Sequence, residues 1–164
     1  MKIIAVGTGY DSHRFVENRK LILGGVELDS ELGLEGHSDA DALCHAIIDA
    51  ILGACGKQDI GNLFPDTDLK WKGVSSIGLL SNVLDIIKQD SSVKIHYIDA
   101  VIITEQPKIA PYSVKMKTNI ATALNIRPEQ VNLKAKTNEK MGFVGRSEGL
   151  AVIANVTIER IIGA

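Results

Sequence analysis

Asp11-Ser12-His13 is followed by His37-Ser38-Asp39-Ala40-Asp41 and then by His45, so three of the four histidines fall in the first 45 residues among closely spaced aspartates. Histidine and aspartate are the side chains that hold a catalytic zinc while leaving a coordination position open for substrate. On a strand, Asp11 and His13 project to one face, because alternate strand side chains share a face. Asp11, His13 and His45 therefore form a candidate three-ligand set. At this point a second reading stands beside it: two polar residues at a strand end and a hydrogen-bonded core histidine. His37 precedes the helix-start pattern of Ser38 to Asp41, where backbone N–H groups favour anions. It reads either as a donor to a bound phosphate or as an exposed loop histidine.

Two further segments carry polar chemistry. Lys134-Ala135-Lys136-Thr137-Asn138-Glu139-Lys140 combines ammonium groups, a hydroxyl, an amide and a carboxylate. That mixture suits a phosphate–metal complex, and equally a solvated turn. Gly142-Phe143-Val144-Gly145-Arg146 reads as a tight, anion-binding turn. Gly7-Thr8-Gly9 is too short for a dinucleotide fingerprint and carries no functional weight.

The elements that position these residues follow from pattern. Lys2 to Asp11 is rich in β-branched residues and predicts a strand. Leu21-Ile22-Leu23 and Val26-Glu27-Leu28 around Gly24-Gly25 predict a hairpin. Glu31 to Gly36 reads as a loop. A helix is predicted from about Asp39 to Leu52. It is apolar nearly all round, with Asp41, His45 and Asp49 sharing its one polar face at every fourth position. Asp59-Ile60-Gly61 and Phe64-Pro65-Asp66-Thr67-Asp68 predict loops. Helices are predicted over Ser75–Gln89, capped by Ser75 or Ser76, and over Pro111–Leu124, with proline at its start. Strands are predicted over Val93–Thr104, Val131–Lys136 and Leu150–Ile162. The expected fold is a single α+β domain over residues 1–164, mainly a four-stranded mixed sheet with helices on one face.

At 164 residues, 45% hydrophobic and 23% charged, the composition is that of a globular domain with its own core. A net charge of −2 provides no general drive toward nucleic acid or an anionic membrane. No apolar run reaches the roughly 18 residues that span a bilayer. Cys44 and Cys55 fall roughly 16 Å apart along the predicted helix, too far for a disulfide. They read as small thiols in a reducing compartment. Met1 to Val6 leads straight into Gly7-Thr8-Gly9-Tyr10-Asp11 and leaves no room for a signal peptide, so the expected location is cytoplasmic.

Taken together and in order, Asp11-Ser12-His13-Arg14, Leu23-Gly24-Gly25-Val26, His37-Ser38-Asp39-Ala40-Asp41, Asp59-Ile60-Gly61, Phe64 to Asp68 and Lys134 to Glu148 closely resemble the 2-C-methyl-D-erythritol 2,4-cyclodiphosphate synthase family of the non-mevalonate isoprenoid pathway. The resemblance covers essentially the whole chain. It implies zinc, or another divalent cation, at Asp11, His13 and His45. It also implies a second cation, Mg²⁺ or Mn²⁺, held by Glu139 on the substrate diphosphate. His37 and Thr137 match residues that stabilise the transition state. Ser38, Asp59, Ile60 and Gly61, with Phe64, Pro65, Asp66, Thr67 and Asp68, match the surroundings of the methylerythritol moiety. Thr104, Pro107, Lys108, Ile109 and Ala110 match the cytidine pocket together with Ala135 and Lys136. Asn138 joins the substrate-binding positions beside Thr137.

The resemblance further implies a homotrimer with active sites between subunits. Phe143 and Arg146 match a central cavity that holds an isoprenoid diphosphate. Lys136 and Asn138 stand where threonines are common, and Ser12 where valine is common. The implied reaction is intramolecular: the 2-phosphate of a cytidine diphosphate-linked substrate attacks the β-phosphorus and releases cytidine monophosphate. Asp49 or Asp41 is expected to orient a histidine ligand. A metal-dependent phosphohydrolase and a non-catalytic trimeric module with structural zinc are the competing readings of the same residues.

Overall fold

A computed structural model describes residues 1–65, 71, 73–89 and 93–162. In chain order it contains β1 (Lys2–Val16), β2 (Leu21–Leu23), β3 (Val26–Leu28), β4 (Gly33–Leu34), α1 (Ala42–Ala54), α2 (Ile60–Leu63), α3 (Ser76–Gln89), β5 (Lys94–Ile103), α4 (Ser113–Ala123), β6 (Val131–Lys136), α5 (Gly142–Gly145) and β7 (Gly149–Ile161). The architecture is α+β. The sheet has five strands, not four, in the order β4-β1-β7-β5-β6. The fifth is the two-residue β4, antiparallel to the end of β1 through Phe15↔Leu34 and Val16↔Gly33. Two residues carry no periodicity, so this stretch reads as loop from sequence alone.

β1 is longer than its apolar pattern predicts, because pairing with β7 continues through Asp11↔Val152 and His13↔Leu150 to Arg14↔Gly149. β5 pairs antiparallel with β7 and parallel with β6. The hairpin β2–β3 forms as predicted, with Gly24 and Gly25 both at positive φ, as a two-residue type I′ turn requires.

α1 lies against β1 and β7 on one face of the sheet, with α3 packed on its other side. This explains a helix whose Ala42, Leu43, Cys44, Ala46, Ile47, Ile48, Ala50, Ile51, Leu52 and Ala54 are all buried. Its approach to β1 is close. A Cβ on Gly7 would fall 1.9 Å from the carbonyl oxygen of Ala50, and one on Gly9 would fall 1.9 Å from that of Ala46. Small residues on both partners let backbone meet backbone. The residues that alternate with Gly7 and Gly9 face away from α1: Ile4, Val6 and Tyr10 are 61%, 65% and 55% exposed. No helix among the described residues is long and apolar enough to cross a membrane.

α1 begins at Ala42, three residues later than the sequence pattern predicts. Asp41 is its N-cap and accepts from Cys44 N at 3.1 Å. The same carboxylate accepts from Gly24 N at 2.9 Å and Gly25 N at 2.7 Å. A buried acid thus fastens the hairpin turn to the helix start. Asp39 lies outside α1 and caps a different helix: its Oδ2 accepts from Ser76 N, the first residue of α3, at 2.9 Å.

Candidate metal centre and nucleotide-type pocket

The close packing of β1 on α1 brings Asp11 and His13, beyond Gly9, to His45, which precedes Ala46. Asp11 Oδ2 lies 2.9 Å from His13 Nε2 and 3.0 Å from His45 Nδ1. The two imidazole nitrogens are 3.3 Å apart. Donor atoms about 2.0–2.2 Å from a tetrahedral zinc are about 3.3–3.6 Å from one another, so the observed separations match to within about half an ångström. The three residues are partly buried and form a group fit to hold a metal ion. Two imidazoles and one carboxylate supply three ligands and leave a fourth position for substrate oxygen.

Electrostatics follow from this geometry. Burial pulls the Asp11 carboxyl upward, but hydrogen bonds and charge from His13 and His45 outweigh it and hold the group well below the usual carboxylate range. Burial pulls His13 downward, but the Asp11 hydrogen bond and charge, with the Glu35 carbonyl, leave it above its ordinary value. The Cys44 thiol, next to His45, is pushed well up by burial and is no nucleophile at neutral pH. Neither Cys44 nor Cys55 is in a disulfide.

The partners that orient the histidines are not those the sequence pattern suggests. His13 Nδ1 donates to the backbone carbonyl of Glu35 at 2.6 Å. His45 Nε2 is 2.9 Å from Ser76 Oγ and 3.4 Å from Ser38 Oγ. Asp41 and Asp49 do not orient a histidine. Asp41 is occupied by three backbone N–H groups, and Asp49 Oδ1 accepts from Ile60 N at 2.8 Å. Burial raises the Asp49 carboxyl, and that hydrogen bond partly offsets it. Asp49 thus ties the Asp59-Ile60-Gly61 segment to α1.

That segment is not a plain loop. Asp59 is the N-cap of α2, accepting from Asn62 N at 3.0 Å. Phe64 is buried and packs edge-on against Trp71, ring centres 4.8 Å apart. Pro65 is exposed, and Asp66, Thr67 and Asp68 lie outside the described residues. His37 is exposed, in a loop held by Arg19, whose guanidinium donates to Gly36 O at 2.5 Å and Ser38 O at 2.7 Å.

A second locus forms where β5 and β6 end side by side. Ile102 pairs with Ala135 and Ile103 with Lys136, and Thr104 N donates to Lys136 O at 2.9 Å. The segments Thr104–Ala110 and Ala135–Asn138 are therefore neighbours at the carboxyl ends of parallel strands, where α/β sheets commonly take ligands. Thr104 and Ile109 are buried, whereas Lys108, Ala110, Ala135, Lys136 and Thr137 are exposed. Pro107 lines a hollow of about 310 Å³ with Gln106, Phe15 and Ser147. Glu105, which no motif marks, accepts from Asn138 N at 2.9 Å and Lys140 N at 3.3 Å, and Thr137 Oγ1 donates to Glu139 Oε1 at 3.1 Å.

The two loci stand apart along the sheet. Asp11 aligns across the sheet with Val152, Ile102 and Ala135, so β6 lies three strand spacings, about 14 Å, from β1. Gly142 to Gly145 form one turn of helix, α5, instead of an irregular turn. Phe143 lines a hollow of about 240 Å³ with Ser12, His13, Arg14 and Glu148. Arg146 Nε donates to Glu148 Oε1 at 2.6 Å.

The YgbB family model matches residues 4–159. A protein of Syntrophus aciditrophicus named 2-C-methyl-D-erythritol 2,4-cyclodiphosphate synthase is 56% identical over 149 residues, covering 91% of this chain and 93% of its own length. One of the same name from Synechococcus elongatus is 48% identical over 160 residues, covering 98% and 99%. Among solved structures, IspF of Plasmodium falciparum in its CDP complex superimposes with a TM-score of 0.81 at 34% identity, over 94% of this chain and 95% of that one. The bifunctional IspDF of Campylobacter jejuni gives a TM-score of 0.92 at 41% identity, over 98% of this chain and 43% of that one.

Proposed function

The chain belongs to the YgbB family, that of the 2-C-methyl-D-erythritol 2,4-cyclodiphosphate synthases, and from this membership and the site geometry we infer that it cyclises 4-diphosphocytidyl-2-C-methyl-D-erythritol 2-phosphate to 2-C-methyl-D-erythritol 2,4-cyclodiphosphate. Cytidine monophosphate is released, and the product enters isoprenoid precursor synthesis. The observation that carries this reading is the convergence of Asp11 Oδ2, His13 Nε2 and His45 Nδ1, each within 3.3 Å of the other two.

The reaction needs no protein nucleophile. A phosphate oxygen of the substrate attacks the β-phosphorus, the bond from that phosphorus to the bridging oxygen breaks, and cytidine monophosphate departs with the electron pair. The protein must bend the substrate and hold the two ends in line. Such positioning supplies roughly 7–11 kcal/mol in favourable cases. Asp11, His13 and His45 would hold zinc, and Glu139 would hold Mg²⁺ or Mn²⁺. Cations there would offset the repulsion between phosphate groups and the charge that develops on their oxygens. His37 and Thr137 donate hydrogen bonds to the phosphoryl oxygens. Ser38 and the segment from Asp59 to Asp68 surround the methylerythritol unit. Thr104–Ala110 with Ala135, Lys136 and Asn138 receives cytidine, with Lys108 toward phosphate.

The functional unit is a homotrimer of this one domain, residues 1–164, with each site shared by neighbouring subunits. Two features support the shared site. The strand that carries Asp11 and His13 and the end of β6 lie about 14 Å apart across one sheet. The sheet face away from α1 also carries the exposed apolar side chains Ile4, Val6, Tyr10, Tyr97 and Ile153. Phe143 and Arg146 face the central cavity and take an isoprenoid diphosphate. A reducing, cytoplasmic setting suits two cysteines that are not in a disulfide.

Incubation with the cytidine diphosphate-linked substrate, zinc and magnesium, followed by ³¹P NMR, tests the reading. Cyclic diphosphate and cytidine monophosphate are the expected products. Inorganic phosphate would identify a phosphohydrolase instead, and unchanged substrate beside stoichiometric zinc would identify a non-catalytic module.

A further inference from the structure

We propose that Ser76 and Asp39 are positioning residues that fix which nitrogen of His45 is bare and faces the cation site; this rests on the metal reading of Asp11, His13 and His45. His45 Nδ1 faces that site, 3.0 Å from Asp11 Oδ2 and 3.3 Å from His13 Nε2. A neutral imidazole carries one N–H, and a cation takes the other nitrogen. His45 therefore serves as a ligand only when its proton sits on Nε2.

The groups behind Nε2 favour that state, against Asp11 Oδ2, which competes for a proton on Nδ1 while no cation is bound. Its near neighbour is Ser76 Oγ, 2.9 Å away. Ser76 has a single hydroxyl proton, and Asp39 Oδ1 accepts it. A carboxylate only accepts, and the other oxygen of Asp39 is held by Ser76 N at 2.9 Å, so the direction of the link is set. With its proton committed, Ser76 Oγ offers His45 only a lone pair, so the link forms only with Nε2 as the donor. Ser38 Oγ, at 3.4 Å, is a longer second contact that itself accepts from Ala40 N at 3.2 Å. Ser76 is fully buried, so bulk water does not substitute for the link. His13 is set by another route: Glu35 O, which only accepts, holds its Nδ1 proton, so Nε2 is the nitrogen a cation takes. The two histidines thus present opposite nitrogens to one point, and only the His45 arrangement depends on side chains that can be exchanged.

The test uses the full chain freed of metal. Zinc is titrated calorimetrically, thermal unfolding is followed with and without zinc, and the His45 tautomer is read at pH 8 from long-range ¹⁵N–¹H NMR. Wild type is expected to hold a larger share of the Nε2–H tautomer than Ser76→Ala. Ser76→Ala is expected to lose about 10–100-fold in zinc affinity, the range for loss of a histidine's outer partner, while Ser76→Thr, which keeps the hydroxyl, stays within a few-fold of wild type. Asp39→Asn places an N–H against Ser76 Oγ, turns the serine proton toward His45 and shifts the tautomer to Nδ1–H. Adding Asp39→Asn to Ser76→Ala costs little more, since both act through one link. Wild-type zinc affinity in folded Ser76→Ala overturns the proposal, as does a wild-type tautomer ratio in Ser76→Ala or in Asp39→Asn. Wild type that takes up no zinc overturns the metal reading as well, which separates the two failures.

Discussion

The carbonyl oxygen of Ala46 lies so close over Gly9 that a Cβ at position 9 would fall 1.9 Å from it. That contact sets the distance between the strand carrying Asp11 and His13 and the helix carrying His45. Gly9→Ala must push β1 from α1, and overpacking of this kind costs about 1–3 kcal/mol. Zinc affinity is expected to fall with stability, because the three ligands sit on both sides of the displaced contact. Urea unfolding and zinc titration of the same variant check this. Gly53→Ala is the control: a Cβ there meets nothing within 4 Å, so it should leave zinc binding unchanged and gain about 0.5–1 kcal/mol from helix propensity.

Gly7-Thr8-Gly9 shows what the sequence could and could not convey. As a dinucleotide fingerprint the segment carries nothing, yet the glycines are what allow the helix to dock, a fact visible only once Ala46 and Ala50 lie against them. Periodicity marked the long strands, the hairpin and the nearly all-round apolar helix, because those signals are local. The spacing of Asp11, His13 and His45 was legible for the same reason. Asp39 was not, since it serves α3, far along the chain, and Asp41 was legible only in part: it caps α1 where the helix-start pattern lies, but it also holds the Gly24-Gly25 turn. Ser76 and Glu105 sit in no motif, and their roles arise from packing between segments more than 30 residues apart.

Asp41→Ala should be among the most destabilising single changes in the molecule. It removes the helix cap on Cys44 N and leaves the buried N–H of Gly24 without its acceptor, while the exposed Gly25 can turn to water. A lost cap costs about 0.5–2 kcal/mol and each buried unpaired donor about 1–3 kcal/mol, so an overall loss of about 2–4 kcal/mol is expected. Asp41→Asn should lose less, since its amide oxygen still accepts. Equal losses from the two variants in denaturant titrations would contradict this account.

Metal binding should release a proton and tighten as pH rises through the neutral range. His13 is held above its ordinary 6.5, so in the metal-free protein its pairing with Asp11 stabilises the fold fully below 6.5 and ceases to do so as pH climbs past the raised value. Asp11 has the opposite sign: its contribution is present above 3.8 and is lost only as pH falls through a folded-state value well below that. Zinc must displace the proton on His13 Nε2, whereas Asp11 is already ionised. Calorimetric zinc titrations in buffers of different ionisation enthalpy, at pH 6 and pH 8, should show proton release that is larger at pH 6 and affinity that is higher at pH 8. Affinity independent of pH would contradict the assignment of His13 as a ligand.

The separation of about 14 Å between the β1 centre and the β6 end makes shared sites testable by complementation. His45→Ala should abolish metal binding and turnover, and Thr137→Ala should abolish most turnover with metal retained. If a site draws the metal ligands from one subunit and Thr137 from its neighbour, co-refolding equal amounts of the two variants reconstitutes intact sites in the mixed trimers. Random assortment then makes about a quarter of all sites intact, and activity should return to about that fraction of wild type. Sites contained within one chain would leave the mixture as inactive as either variant. Light scattering on the same sample checks that the refolded species is a trimer, so a lack of rescue cannot be blamed on failed assembly. Turnover that returns in proportion to the mixed species, and vanishes when each variant is refolded alone, is the result a subunit-spanning site requires.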